Sequence, residues 1–258
     1  MITSSSYNLQ HHIDYFENHR CCVDDDDYKR FELQKQLLLK IAKVENSALA
    51  VFDTNKNHYI LSCSKFDKII GYQLNYEKKI SPDFFSKYCH PGDFNFVIDT
   101  ACRTYKFWES LPPSERTDYK LIVDYRLRSI TGAYLRFIQQ MVILELDKNG
   151  EIWLLLKLFD LASENAGEEP PQRKLVNLKT WKLHLFNDDY EIPTSKVLTS
   201  REIQVLDLIS QGLDSKNISD RLFISMNTVN NHRQNILNKT RSGNTSQALI
   251  FAKRIGII

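Results

Sequence analysis

The chain has 258 residues, 42% of them hydrophobic and 26% charged, with only 8 Gly and 7 Pro, which excludes a fibrous or disordered chain and leads us to expect two folded units joined by a connector. Its formal net charge of +2 hides an asymmetry: residues 196–258 hold nine Lys/Arg and four Asp/Glu, a net +5, whereas residues 1–195 hold 25 and 28, a net −3. A small basic unit behind a mildly acidic one is the distribution expected of a nucleic-acid reader with a separate control domain.

Residues 1–46 are read as a polar segment followed by one amphipathic helix. The start, MITSSSYNLQHH, has neither a basic opening nor an apolar run of leader length, so a cytoplasmic location is expected. The acidic run Asp24 to Asp27 reads as solvated chain or a helix start. From Tyr28, Leu33, Leu37, Leu38, Ile41 and Val44 recur at three and four residues, predicting one apolar face of a helix of about four turns that needs a partner.

Residues 47–161 alternate between strand and helix signals. Leu49 to Asp53 and His58 to Ser62 flank DTNKN, a turn composition, and predict a hairpin. Helical spacing follows in Phe66, Ile69 and Ile70 and in Phe84, Phe85 and Tyr88. A longer helix is expected after HPGD, with Phe94, Val97, Ala101, Tyr105 and Trp108 inward, ending before Pro112 and Pro113. In that motif His90 and Asp93 shape the turn, with Asp93 well placed to cap the helix. Tyr119 to Leu127 alternates with period two, and runs Tyr134 to Leu146 and Ile152 to Phe159, punctuated by Gly132 and Gly150, complete an antiparallel meander.

Two strands, several helices and three strands, with HPGD before the long helix, resemble a PAS domain. The resemblance implies a five-stranded antiparallel sheet with helices on one face, serving as a sensory or dimerisation domain. Phe66, Phe84, Phe94, Trp108, Tyr119 and Tyr125 are its candidate interior aromatics, which either fill a core or line a pocket, the former being favoured. Residues 162–195 read as a linker, opening on ASENAGEEPP and carrying one or two extra strands between Leu175 and Phe186.

Residues 196–258 carry the sharpest signals. In Leu198-Thr-Ser-Arg-Glu202, Thr199 can cap a helix while Glu202 reaches back to it; Val205, Leu206 and Ile209 face inward, and Gly212 suits a left-handed terminus. Asp214 or Ser215 opens a short second helix through Phe223, and Ser225 or Asn227 opens a third with Val229, Ile236 and His232 inward. Two short helices and a tight turn make a helix-turn-helix. Six of the fifteen residues from Met226 to Thr240 are side-chain amides. Asn is a mediocre helix former, and major-groove reading gives these amides a purpose, since Asn and Gln pair with both N6 and N7 of adenine. Asn230, Asn231 and Gln234 are the candidate base readers; Lys216, Ser225, Thr228, Arg233 and Lys239 are the candidate phosphate contacts.

LTSREIQVLDLISQG, DSKNISDRLFIS and NTVNNHRQNILNKT resemble successive helices of the LuxR-type DNA-binding domain. The resemblance implies an all-α four-helix domain that binds double-stranded DNA as a homodimer, its last helix, Ser246 to Ile255, offering Ala248, Ala252 and Ile255 for packing. Asn230, Thr240 and Thr245 depart from the family's usual Lys, Leu and Arg. RNA polymerase is a further candidate partner.

No nucleophile elbow, Walker loop, dinucleotide-binding glycine motif or HExxH motif occurs, so no catalytic role and no catalytic residue is assigned. The five cysteines form no CxxC pair and read as reduced thiols, with no cofactor and no metal site expected. The longest apolar runs, Ala48 to Phe52 and Ile152 to Leu156, are far shorter than the ~20 residues of a membrane helix, so no membrane partner is expected. Two functions remain open: a regulator whose N-terminal domain senses a small-molecule ligand or protein signal, and a DNA-bound adaptor whose N-terminal domain only dimerises or recruits.

Overall fold

The computed structural model describes residues 8–44, 48–63, 87–162, 170–184, 198–240, 242–255 and 257–258. The chain divides into two compact units, Met1–Leu175 and Val176–Ile258. No described helix is long and apolar enough to cross a membrane.

Helix α1 (Leu9–Asn18) opens the first unit on a reciprocal cap, with the Asn8 side chain accepting from the His11 backbone and the His11 ring facing the Asn8 amide. It falls in a segment expected to be polar chain, although Leu9, Ile13 and Phe16 stand four and three residues apart, on one side of a helix. Phe16 carries its packing, meeting Phe52 at 5.3 Å and Tyr105 at 5.1 Å between ring centroids. Helix α2 (Asp25–Val44) begins with three Asp where the free amides and helix dipole favour negative charge.

Strands β1 (Ala48–Asp53) and β2 (His58–Cys63) form the expected hairpin, with Asn57 left-handed in the turn. Helix α3 (Pro91–Glu109) and the short α4 (Pro113–Arg116) precede the meander β3 (Tyr119–Arg128), β4 (Tyr134–Leu146) and β5 (Ile152–Leu161). The turn into β5 needs Gly150: its φ is +84°, and a Cβ there would stand 2.6 Å from Pro113. Strands β6 (Arg173–Asn177) and β7 (Leu183–His184) lie where the linker was expected to hold extra strands.

The expected antiparallel α+β architecture is present, with two additions. The sheet has seven strands, in the order β2-β1-β5-β4-β3-β6-β7, rather than five. Its helices also lie on both faces. Phe52 meets α1, while Val51, pointing the other way, belongs to a cluster with Leu49, Leu61, Leu154 and Phe31 and Ala42 of α2. Among the expected interior aromatics, Trp108 and Tyr125 are buried and Phe94 and Tyr119 half-buried; Phe66 and Phe84, with the helical spacing around them, lie outside the described residues.

In HPGD the cap is His90, whose Nδ1 accepts from the Gly92 amide at 3.0 Å, and not Asp93. Asp93 is fully buried and accepts from the backbone amide and Nε of Arg126, each at 2.9 Å. Burial opposes its charge, and the Arg126 donors outweigh that, holding the carboxyl below its usual range. The residue that sequence assigns to a local turn thus pins α3 to β3.

Candidate nucleic-acid interface

The C-terminal unit builds four helices: α5 (Ser200–Ser210), α6 (Ser215–Leu222), α7 (Met226–Thr240) and α8 (Thr245–Ile255). Thr199 caps α5 as its spacing predicts: Glu202 N donates to Thr199 Oγ1 at 3.3 Å, and Thr199 N donates back to the Glu202 carboxylate at 2.7 Å. Gly212 follows with φ +85°. Asp214 caps α6, accepting from Asn217 N at 2.8 Å. Ser225 caps α7, accepting from Thr228 N at 3.0 Å.

The turn between α6 and α7 is held from outside. Phe223 adopts a left-handed φ of 54°, Ile224 N donates to Ser219 O at 3.1 Å, and Arg201 Nη2 of α5 donates to Leu222 O at 2.8 Å. Buried Val205, Leu206, Ile218, Val229 and Ile236 bind the three helices together. With Val229 and Ile236 inward, α7 turns Asn227, Asn230, Asn231, Gln234 and Asn238 to solvent on one face. His232 is half-buried.

All three candidate base readers are therefore exposed on the same face, and two are oriented by neighbours. Ser215 Oγ donates to Asn230 Oδ1 at 3.0 Å, and Gln234 Nε2 donates to Asn238 Oδ1 at 3.1 Å. Ser215 was not among the sequence candidates for DNA contact, and the separation of fifteen positions from Asn230 gave no signal of the contact.

The candidate phosphate contacts fall into distinct surroundings. Lys216 and Ser225 are exposed near the N-termini of α6 and α7, with Thr228 half-buried beside Ser225 at 2.8 Å between hydroxyls. Arg233 reaches Ser215 Oγ at 3.2 Å and Thr245 Oγ1 at 3.5 Å, tying α7 to the starts of α6 and α8. Lys239 is engaged inside the unit: its Nζ lies 2.8 Å from Glu202 Oε2, the Glu202 side chain being 3% and the Lys239 side chain 33% exposed. Burial disfavours the Glu202 charge, but Lys239 and the Thr199 donors prevail and hold its pKa below the ordinary value.

The departures from the family pattern are accommodated. Thr240 is fully buried and donates to Ile236 O at 2.7 Å, with Ser242 Oγ 2.9 Å away, so its hydroxyl is satisfied where an apolar side chain is usual. Thr245 accepts from Arg233. Ala248 and Ala252, expected to be available for dimer packing, are buried with Phe251 inside the unit; the side chain of Ile255 lies outside the described residues.

Residues 196–252 match the family of bacterial regulatory proteins of luxR type. The transcriptional regulatory protein LnrK of Bacillus subtilis is 37% identical over 93 residues, which are 34% of this chain and 42% of that protein. LiaR of the same organism is 42% identical over 57 residues, 22% of this chain and 27% of its own. The chain thus covers less than half the length of these relatives. Among solved structures, the phage VqmA–DPO complex aligns over 90% of this chain and 89% of its own, at 18% identity and a TM-score of 0.33. The N-terminal domain of a diguanylate cyclase with PAS/PAC sensor from Marinobacter aquaeolei aligns over 45% and 94%, at 15% identity and a TM-score of 0.35. Residues 196–252 thus form a helix-turn-helix domain of the luxR type.

Proposed function

We propose that the chain is a cytoplasmic regulator of transcription that binds double-stranded DNA as a homodimer, with residues 196–258 as the reader and residues 47–161 as the control domain. The observation that carries this reading is the amide face of α7, exposed on a helix whose opposite side is locked into the core. Asn230, Asn231 and Gln234 read base edges, with adenine as the matching base for a bidentate amide. Lys216, Ser225, Thr228 and Arg233 hold phosphates and set register, Lys216 as a point charge and Ser225 and Thr228 beside the free amides of a helix start. Lys239 contributes to phosphate binding only to the extent that it leaves Glu202.

Fluorescence anisotropy on DNA selected from a random pool tests the assignment. Asn230→Ala/Gln234→Ala loses preference at adenine positions, by ~1–3 kcal/mol per bidentate contact. Lys216→Ala weakens all sequences alike and shallows the salt slope by ~0.9. A wild-type chain that selects no sequence refutes the reading.

For the control domain, the ligand-sensing function is favoured over the adaptor by Lys157 of β5. This cationic side chain is 8% exposed; its Nζ meets Tyr59 Oη at 3.2 Å and lies over the Phe52 and Tyr59 rings at 4.9 and 5.2 Å, with no carboxylate partner among the described residues. A buried cation without a counter-ion favours an anionic or carbonyl-bearing small molecule. Replacement by Met separates the two functions: a sensor loses its response to the signal while keeping its DNA affinity, whereas an adaptor shows no such response with either Lys or Met and keeps its DNA affinity.

A further inference from the structure

Helix α7 carries one exposed large apolar side chain beside its amides. Met226, its first residue, is 50% exposed, and no other large hydrophobic of that helix is exposed. It follows the Ser225 cap directly and precedes Asn230 by four positions, so it stands one turn earlier along the same side of the helix as that candidate base reader. The buried positions of α7 are Val229, Ile236 and Thr240 and its cap is Ser225, so neither role falls to Met226. A thioether also brings no strong acceptor to the free amides of a helix start.

We propose that Met226 reads the 5-methyl group of a thymine in the major groove, one or two base pairs from the adenine read by Asn230, on the side of the α7 N-terminus. Chemistry selects this occupant. The base edges of the major groove present donors and acceptors and one apolar group, the thymine methyl, which only an apolar side chain can favour. The amides of α7 pair with N6 and N7 of adenine and gain nothing from a methyl. A recognition helix brings its N-terminal residues to the base edges, which is where Met226 lies. Four residues of helix rise about 6 Å, against about 3.4 Å between base pairs, which sets the spacing of one to two base pairs. The flexible, polarisable side chain of Met adapts to such a small target. Met226 thereby separates thymine from cytosine beyond the reach of the Asn230 amide.

This role rests on the DNA-reading function proposed for α7. Its test is fluorescence anisotropy of the full chain on the selected DNA with each thymine replaced in turn by uracil, which removes the methyl and keeps every hydrogen-bonding group of the base. Wild type loses about fourfold in affinity at one position, the worth of one buried methyl-sized group. Met226→Ala binds the thymine and uracil forms of that position alike, and Met226→Leu keeps the preference. Phe223, 93% exposed at the left-handed end of α6, is the control: Phe223→Asn suits that backbone and also keeps the preference. Each ratio compares two DNAs bound by one protein, so partial unfolding of a variant lowers both affinities and leaves the ratio intact. Equal uracil losses for wild type and Met226→Ala overturn the proposal, as does a preference lost in Phe223→Asn and kept in Met226→Ala, which hands the methyl to Phe223. A wild type that keeps its Asn230-dependent adenine preference but shows no uracil effect anywhere overturns the Met226 role alone, whereas a wild type that selects no sequence overturns the DNA-reading function and this role with it.

Discussion

Lys239→Ala separates two roles that the sequence leaves merged in one cation. Its Nζ lies 2.8 Å from the carboxylate of Glu202, whose side chain is 3% exposed, and no other ion pair to Glu202 occurs among the described residues. Breaking a fully buried pair costs about 3–5 kcal/mol, because a charge is left without compensation. Here Thr199 still donates its amide at 2.7 Å and its hydroxyl at 2.8 Å, and Lys239 is one-third exposed, so the expected loss falls to about 1–2 kcal/mol. For a unit of this size that lowers the melting transition by roughly 4–16 °C. Differential scanning calorimetry of the full chain reads the transition of the C-terminal unit, and a cycle with Glu202→Gln isolates the pair. DNA affinity falls only as far as the folded fraction falls, and the slope of log K against log salt keeps its wild-type value. An unchanged melt together with a slope shallower by ~0.9 refutes the reasoning and returns Lys239 to a phosphate.

Ser215→Ala leaves the fold intact but frees both the Asn230 amide and the Arg233 guanidinium from Ser215 Oγ, so preference at the base read by Asn230 broadens in a selection experiment by more than affinity for unrelated DNA changes. Asp93→Asn removes the charge that receives three Arg126 donors and costs about 3 kcal/mol, read as a lower urea midpoint for the N-terminal unit. The carboxyls of Asp93 and Glu202 both lie below their unfolded values, so their stabilisation is complete above about pH 4–5 and is lost as pH falls through the folded values; an acid titration by circular dichroism follows it. His12 moves in the other window: burial, with the Lys157 charge second, lowers it to about 4, so the unfolded chain takes up a proton near pH 6.5 and the folded chain does not. Docking of α1 therefore weakens as pH falls from 6.5 towards 4, seen as faster amide exchange in α1 at pH 5 than expected from intrinsic rates, and His12→Asn removes that dependence.

Where an interaction closes within a few residues, the amino-acid order states it outright. The Thr199/Glu202 capping box, Gly212 as a left-handed terminus, the hairpin around DTNKN and the amide run of α7 were legible because their physics depends on spacings of two to four positions. The same holds for strand β3, whose period-two pattern is set by the pleat itself, and for the β-rich runs and glycine turns that follow it. Sequence alone thus delivered the helix-turn-helix and the residues on its outer face.

What it left undecided are matters of which surface meets which. Periodicity finds that α2 is apolar but cannot choose between two apolar sides, and the sheet took Phe31 and Ala42 while Leu33, Leu37 and Ile41 stayed outside. Helix α1 shows its apolar positions, Leu9, Ile13 and Phe16, but not what they meet: Phe16 finds Phe52 and Tyr105, 36 and 89 positions away. Asp93 looked like a cap until Arg126 came within reach, and Lys239 looked like a free cation until Glu202 was found beside it. Charge and burial act through space, over separations that a linear pattern does not record, so only the folded chain could assign those side chains to each other.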